Sequence, residues 1–318
     1  MKLLLVDGHY YVYRSFFAIQ KLSNSKGEPT NAIYGFIKTL RRMMKDLSPD
    51  LAAVVWDRGL PKRRTEMQPA YKQQRVEMPD LLVPQCDCIQ DEVVPFLGFP
   101  GVSLEDTEAD DLMASYACAA RRLGHEVVLA TNDKDLFQLV DDRVRVYTTN
   151  KTDLATPKDT HALLGAASVR TKWGVAPEQI GDVLALIGDS VDNIPGVPGL
   201  GPKNAAALVQ EFGSTEQLLA GLDSVKKDGL REKLKAAREQ IVQNREMVRL
   251  DLDLPLPVPL EELLVRPRYA DLITVLERCE FKGLLEEIRL EAGKAAPVAV
   301  PMAPAAPIVR LTQGDLFG

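Results

Sequence analysis

Three apolar runs punctuate the first half of the chain: "KLLLV" from Lys2, "LAAVVW" from Leu51 and "EVVLA" from Glu126. They alternate with helix-length amphipathic segments around residues 31 to 46, 81 to 97 and 109 to 123. Short, continuously apolar strands between amphipathic helices predict an α/β fold, a largely parallel central sheet with helices on both faces. The second half reads as mostly helical. At its start, "IGDSVDNIPGVPGLGPKNAAALV" from Ile187 predicts a helix end, a Gly/Pro hairpin and a new helix beginning near Pro202.

Each predicted strand runs into an acid. "LLLVD" ends at Asp7, "AVVWD" at Asp57 and "VVLATND" at Asp133, with Asp135 two residues on. In an open α/β sheet, ligands occupy the crevice at the carboxyl ends of the strands, so these acids are expected to meet. The turn "EADD" adds Glu108, Asp110 and Asp111 between an extended "GVSL" segment and the helix leading to "EVVLA". Acids suit a helix N-terminus on their own account. So many in one crevice cannot all stay ionised without cations, because like charges a few ångströms apart raise each other's pKa. An all-oxygen donor set selects Mg²⁺ or Mn²⁺. Two such ions about 4 Å apart can hold a phosphodiester without a separate general base.

Composition narrows the alternatives. The 318 residues are 46% hydrophobic with a mean hydropathy of −0.10, as expected of a globular chain with a sizeable core. No apolar stretch approaches the roughly 20 residues needed to cross a bilayer, and Asp7 interrupts "LLLV" too early for a signal peptide. The cysteines, Cys86, Cys88, Cys118 and Cys279, form neither a CxxC pair nor a disulfide framework and are expected to be buried small hydrophobes. A reduced, cytoplasmic monomer with no membrane partner is the expectation. His9, His125 and His161 show no ligand spacing, which argues against zinc or triad chemistry.

The net charge of −6 hides a basic insert. Between Asp57 and Asp80, Arg58, Lys62, Arg63, Arg64, Lys72 and Arg75 outnumber the interior acids Glu66 and Glu77, in a segment broken by prolines and carrying Tyr71. Such a run is a solvated loop or a nucleic-acid contact. The hairpin after Asp189 and Asp192 offers a second anion site: Gly196, Gly199 and Gly201 expose backbone N–H groups ahead of a helix N-terminus, with Lys203 beside it. Tyr10, Tyr11 and Tyr34 could stack on bases, though their helical spacing also suits a core; Tyr34 stands as a DNA-contact candidate.

The motifs "LLLVDGHYYVYR", "AVVWD…PAYKQQR", "EADDLMAS", "LATNDKDLFQLV" and "IGDSVDNIPGVPGLGPKNA" occur in an order that resembles the 5′-nuclease, or flap endonuclease, family, most closely the 5′-to-3′ exonuclease domain of bacterial DNA polymerase I. The resemblance spans roughly residues 1 to 290. It implies a PIN-like catalytic domain over 1–175 with a basic helical arch at 58–80, a helical domain over 176–290 with a helix-hairpin-helix motif, and a tail over 291–318. By the same resemblance, one Mg²⁺ is held by Asp7, Asp57, Glu108 and Asp110. A second is held by Asp133, Asp135 and Asp189, with Asp110 able to bridge, while Asp111 and Asp192 complete the inner or outer shell. Arg64, Lys72 and Arg75 match arch positions near the scissile phosphate, and Arg14 matches the arginine of the "YR" pair. The hairpin at 196–203 resembles one that grips duplex backbone, often with a bound K⁺.

The implied activity is structure-specific cleavage of DNA 5′ flaps, nicks and RNA primers in replication and repair. A PIN-type ribonuclease would be expected to lack the arch and the hairpin, and a non-catalytic DNA-binding relative would have lost carboxylates. Two departures stand out. The connector at 157–173 is longer than usual, and the chain reaches an Ala/Pro-rich run where the polymerases continue, so a stand-alone nuclease is expected. That run predicts an extended tether. Its end, "QGDLF", resembles the peptide by which bacterial replication proteins dock on the sliding clamp, with Gln313, Leu316 and Phe317 as the contacts.

Overall fold

The computed structural model describes residues 1–150, 153 and 161–294. Its central sheet has six strands in the order β3-β2-β1-β4-β5-β6: β1 (Lys2–Asp7), β2 (Leu51–Val55), β3 (Gly101–Val102), β4 (Glu126–Ala130), β5 (Val144–Thr148) and β6 (Ala162–Leu164). All neighbours pair in parallel except β6, which runs antiparallel to β5. The central strand explains its own apolar run. Leu3 and Leu5 point into one core with the helix Ala109–Arg122, whereas Leu4 and Val6 point into the other with the helices Gly8–Ala18 and Asn31–Leu47. A strand buried on both faces has no polar side, hence no alternation.

Chain order reverses between β1 and β4, which lie side by side although β2 and β3 intervene in sequence. That reversal opens a crevice above their carboxyl ends. Asp7 ends β1, Asp57 follows β2 by two residues, and Thr131 to Asp135 follow β4.

The second half begins with the helix Ile180–Ile187, followed by a small antiparallel hairpin of Gly188–Asp189 against Ile194–Pro195 and then the helix Pro202–Phe212. Backbones cross closely here. A Cβ on Gly196 would lie 2.0 Å from the Ile187 carbonyl oxygen, and Gly188 adopts φ +69°, so glycine is required at both. The helix Arg238–Met247 packs behind the hairpin: the buried Asn244 amide donates to the carbonyls of Ala185 and Pro195 at 2.8 and 2.7 Å.

Two expectations are corrected. The basic insert is α-helical only over Lys62–Met67 and then proceeds in turns, lying down on the 189–193 loop. Its contacts there include Lys72 N–H to Asp192 O at 3.3 Å and Asn193 Nδ2 to Ala70 O at 2.7 Å. Three prolines in the insert forbid a long helix. The helices Tyr269–Arg278 and Lys282–Lys294, assigned from sequence largely to the second domain, instead complete the core on the Asn31–Leu47 side of the sheet through Leu272, Leu276, Leu284 and Ile288. Part of the 157–173 connector, the tail from residue 295, and with it Gln313, Leu316 and Phe317, lie outside the described residues.

Candidate active site

The crevice gathers its acids through local structure. Asp7 caps the helix Gly8–Ala18 by accepting the Tyr10 N–H at 3.0 Å, and its Oδ2 accepts from Thr131 Oγ1 at 2.9 Å. Asp57 accepts the Ala109 N–H at 2.8 Å, which fixes the start of the acidic helix, while its Oδ2 lies 3.1 Å from His9 Nδ1. Glu108 immediately precedes that helix and is 2% exposed. Its carboxylate receives the Tyr71 hydroxyl at 3.0 Å and ion pairs from Lys72 and Arg64. Asp133 accepts the Asp135 N–H at 2.9 Å. Across the crevice, Asp189 pairs with Lys134 and accepts the Val191 N–H at 2.9 Å, while Asp192 pairs with Arg75 at 2.6 Å.

The electrostatics show how crowded these groups are. Burial, followed by the charge of Asp57, pushes the Asp7 carboxyl up to about 7. Asp110 is raised well above the carboxylate range by burial and then by Asp111, and Asp135 by burial and then by Asp133. Burial acts on Asp57 and Glu108 as well, but is outweighed. The His9 hydrogen bond and charge hold Asp57 below its ordinary range, and Lys72 and then Arg64 do the same for Glu108.

These residues fit a pair of hard divalent cations. The donors are all oxygen. Asp135 Oδ1 is buried with no hydrogen-bond partner among the described residues, although buried carboxylate oxygens are normally satisfied. Amino groups sit on the carboxylates a metal would neutralise, Lys72 on Glu108 and Lys134 on Asp189. Beside Asp57 and Glu108 a cavity of about 520 Å³ opens, lined also by His9, Tyr13, Lys72 and Arg75, wide enough for a nucleotide-sized group.

The structure thus brings Asp7, Asp57, Glu108, Asp110, Asp133 and Asp135 into one electrostatically connected cluster, with Asp189 and Asp192 facing it. Four expected site residues have other engagements. Asp111 lies with Glu108 and Asp110 in a group close enough to share a cation, but both its oxygens are engaged by Arg64, at 2.7 and 3.0 Å, and Oδ1 also accepts the Asp251 N–H. Arg64 is 1% exposed, its guanidinium turned inward onto Asp111 and Glu108. Tyr34, half-buried, packs edge-on against Phe281 at the rim of the core, with ring centroids 5.2 Å apart. Arg14 is exposed on the first helix, near enough to Tyr11 and Tyr147 for its charge to act on both.

Sequence reading passed over His9, Thr131, Tyr71 and Lys134. His9 was set aside for want of a metal-ligand spacing, yet its role is to hold a carboxylate. The available signal was its place two residues after Asp7, on the helix that starts at the crevice. At the hairpin, Gly199 (φ +78°), Gly201 and Lys203 are exposed ahead of the Pro202–Phe212 helix, and Lys203 has no ion-pair partner among the described residues.

A parallel sheet whose carboxyl edge carries an all-oxygen acidic crevice, roofed by basic side chains and adjoined by a helix-hairpin-helix, defines a metal-dependent nuclease. The chain matches the family described as 5′-3′ exonuclease, N-terminal resolvase-like domain, over residues 2–174, and that described as 5′-3′ exonuclease, C-terminal SAM fold, over residues 175–271. Thermostable DNA polymerase I of Thermus thermophilus is 41% identical over 303 residues, covering 95% of this chain and 35% of the polymerase, so the chain spans about a third of that relative. A 5′-3′ exonuclease of Aquifex aeolicus is 37% identical over 287 residues, covering 90% of this chain and 94% of that one. The solved structure of T5 5′-exonuclease with bound zinc ions superposes with a TM-score of 0.64 at 25% identity, covering 79% of this chain and 90% of that one. That of bacteriophage T5 flap endonuclease with DNA and metal ions gives 0.63 at 24% identity, covering 93% and 100%, a likeness of fold. The chain belongs to the 5′-3′ exonuclease family.

Proposed function

We propose that the chain hydrolyses DNA phosphodiesters from 5′ ends and at the base of 5′ flaps, with two Mg²⁺ ions, replaceable by Mn²⁺, in the carboxylate crevice. The observation that carries this reading is the convergence of Asp7, Asp57, Glu108, Asp110, Asp133 and Asp135 beneath Lys72 and Arg75. Two divalent ions there would stabilise the attacking and leaving oxygens of an in-line displacement. The chain's own residues do the rest. Lys72, now paired with Glu108, and Arg75, paired with Asp192 at the mouth, would supply positive charge to the reacting phosphate. His9 and Thr131 keep Asp57 and Asp7 in place.

The hairpin would hold the duplex by its phosphates, through exposed backbone at Gly199 and Gly201 and the Lys203 ammonium, without reading bases. A K⁺ ion at the same turn, RNA primers as substrates and the clamp-binding role of Gln313, Leu316 and Phe317 belong to this proposal. The deciding experiment offers an end-labelled 5′-flap duplex with Mg²⁺ and maps the product ends. Cleavage at the flap base, lost with EDTA, is the expected result; absence of Mg²⁺-dependent cleavage of any 5′-ended DNA would refute the reading.

A further inference from the structure

Arg64 is one of the largest side chains in the interior, and all its donors are used. Nε donates to Met247 O at 3.0 Å, and Nη2 donates to Arg249 O at 3.1 Å and to Asp111 Oδ1 at 3.0 Å. Nη1 donates to Asp111 Oδ2 at 2.7 Å and to Glu108 Oε2. Its neighbour Arg63 donates to Glu246 O and, at 2.8 Å, to Arg249 O. Two guanidinium groups from the foot of the basic insert therefore cap the carboxyl end of the helix Arg238–Met247, where free carbonyls and the helix dipole favour cations. From the same helix, Asn244 reaches Pro195 in the hairpin and Gln243 Nε2 donates to Met67 O at 2.7 Å.

Asp111 closes the arrangement from the other side. Besides its two-point pairing with Arg64, it accepts the Asp251 N–H at 2.9 Å, and one turn on, Ser115 Oγ donates to Asp251 O at 2.9 Å. A bidentate arginine–carboxylate pair fixes orientation as well as distance. This pair sits between the helix that seats the hairpin and the carboxylate of Glu108.

We infer that Arg64 and Asp111 are positioning residues, a buried pair through which the hairpin-bearing half holds Glu108 in place for the reaction; neither touches phosphate or metal. The inference rests on the proposed nuclease function. It predicts a phenotype unlike that of a DNA contact or a metal ligand. Removing the charge of Asp111 loosens Arg64, which then holds Glu108 from one side only; binding surfaces on the hairpin and insert are untouched.

The test compares Asp111→Asn, Arg64→Met and the double variant with the full chain. Flap affinity is measured in EDTA across a salt series, single-turnover cleavage across a Mg²⁺ series, both well below each variant's unfolding midpoint. Wild-type cleavage and flap binding by the same preparation establish that the underlying nuclease reading holds. The expected result is a rate at saturating Mg²⁺ lowered about 10- to 100-fold, the range seen when groups supporting a metal ligand are removed. Flap affinity and its salt slope stay at wild type, and the double variant is no slower than Arg64→Met alone, since both act through one contact. A salt slope reduced by about one phosphate in Arg64→Met would make it a DNA contact and overturn the inference. A wild-type rate at saturation with a raised Mg²⁺ requirement in Asp111→Asn would make Asp111 a ligand and overturn it equally. Asp111→Asn, nearly isosteric, keeps the test open if Arg64→Met does not fold.

Discussion

Thr131 Oγ1 donates to Asp7 Oδ2 at 2.9 Å and accepts the Asp133 N–H at 3.0 Å, joining the ends of β1 and β4 at the point where the sheet reverses its order. Thr131→Val keeps the shape and removes both bonds. A buried donor or acceptor left unpaired costs about 1 to 3 kcal/mol, so urea unfolding of the metal-free protein should show a loss in that range. An unchanged midpoint would mean that solvent satisfies these groups.

Removing Asp110, which is central to the electrostatics of the cluster, should separate chemistry from binding. Asp110→Ala is expected to abolish cleavage of a 5′-flap duplex while affinity for that duplex holds or rises, because a negative charge near the phosphates is lost. Turnover near wild type would exclude Asp110 as a bridging ligand.

The metal-free protein should respond to pH in an unusual direction. Asp7 titrates near 7 when folded, against an ordinary carboxyl near 4 when unfolded, so the folded state holds the extra proton between those values. Stability in EDTA should therefore fall as pH rises through that window, on the order of 1 kcal/mol per pH unit for each proton so retained. Asp57 is shifted the other way, below its ordinary range, so the stability it adds is lost only in stronger acid. Added Mg²⁺ should remove the decline. Urea midpoints at about pH 5 and pH 8, with and without Mg²⁺, read the effect directly.

Lys72 and Lys203 should differ in kind. Lys72, half-buried against Glu108, is expected on substitution by alanine to slow the single-turnover rate more than it weakens binding. Lys203, exposed at the hairpin, should weaken binding and reduce its salt slope by about one contact. An exchange of the two phenotypes would reverse the assignment.

The double substitution Leu316→Ala with Phe317→Ala should leave cleavage of a free flap unchanged. If "QGDLF" docks on a sliding clamp, calorimetric titration with the clamp of the same organism should lose its signal. Equal affinity of the two proteins would leave the segment without that role.

The sheet was legible where its strands were continuously apolar. β1, β2 and β4 announced themselves, and so did the acids that end them. β5, with Arg145 facing out of "VRVYT", and the three-residue β6 carry too weak a period to stand out. Charge patterning also cannot distinguish an arginine facing solvent from one facing inward. Arg64 reads as a member of a basic run, because the groups that bury it, Asp111 and the carbonyls of Met247 and Arg249, are far away in sequence. Likewise, nothing in "RYADLITVLERCEFKGLLEEIRL" tells which of two sheets of apolar surface its helices will cover.

That last packing bears on how the molecule is made. The family match ends at residue 271, but the core on that side of the sheet, covered first by Leu82, Ile89 and Val93, is completed by Leu272, Leu276, Phe281, Leu284 and Ile288. Phe36, Ile37 and Leu40 therefore belong to a core that is part-built by residues near 90 and finished only by residues after 271. Closing a core with residues so distant in sequence carries a loop-closure cost that slows folding and leaves apolar surface open until it is met.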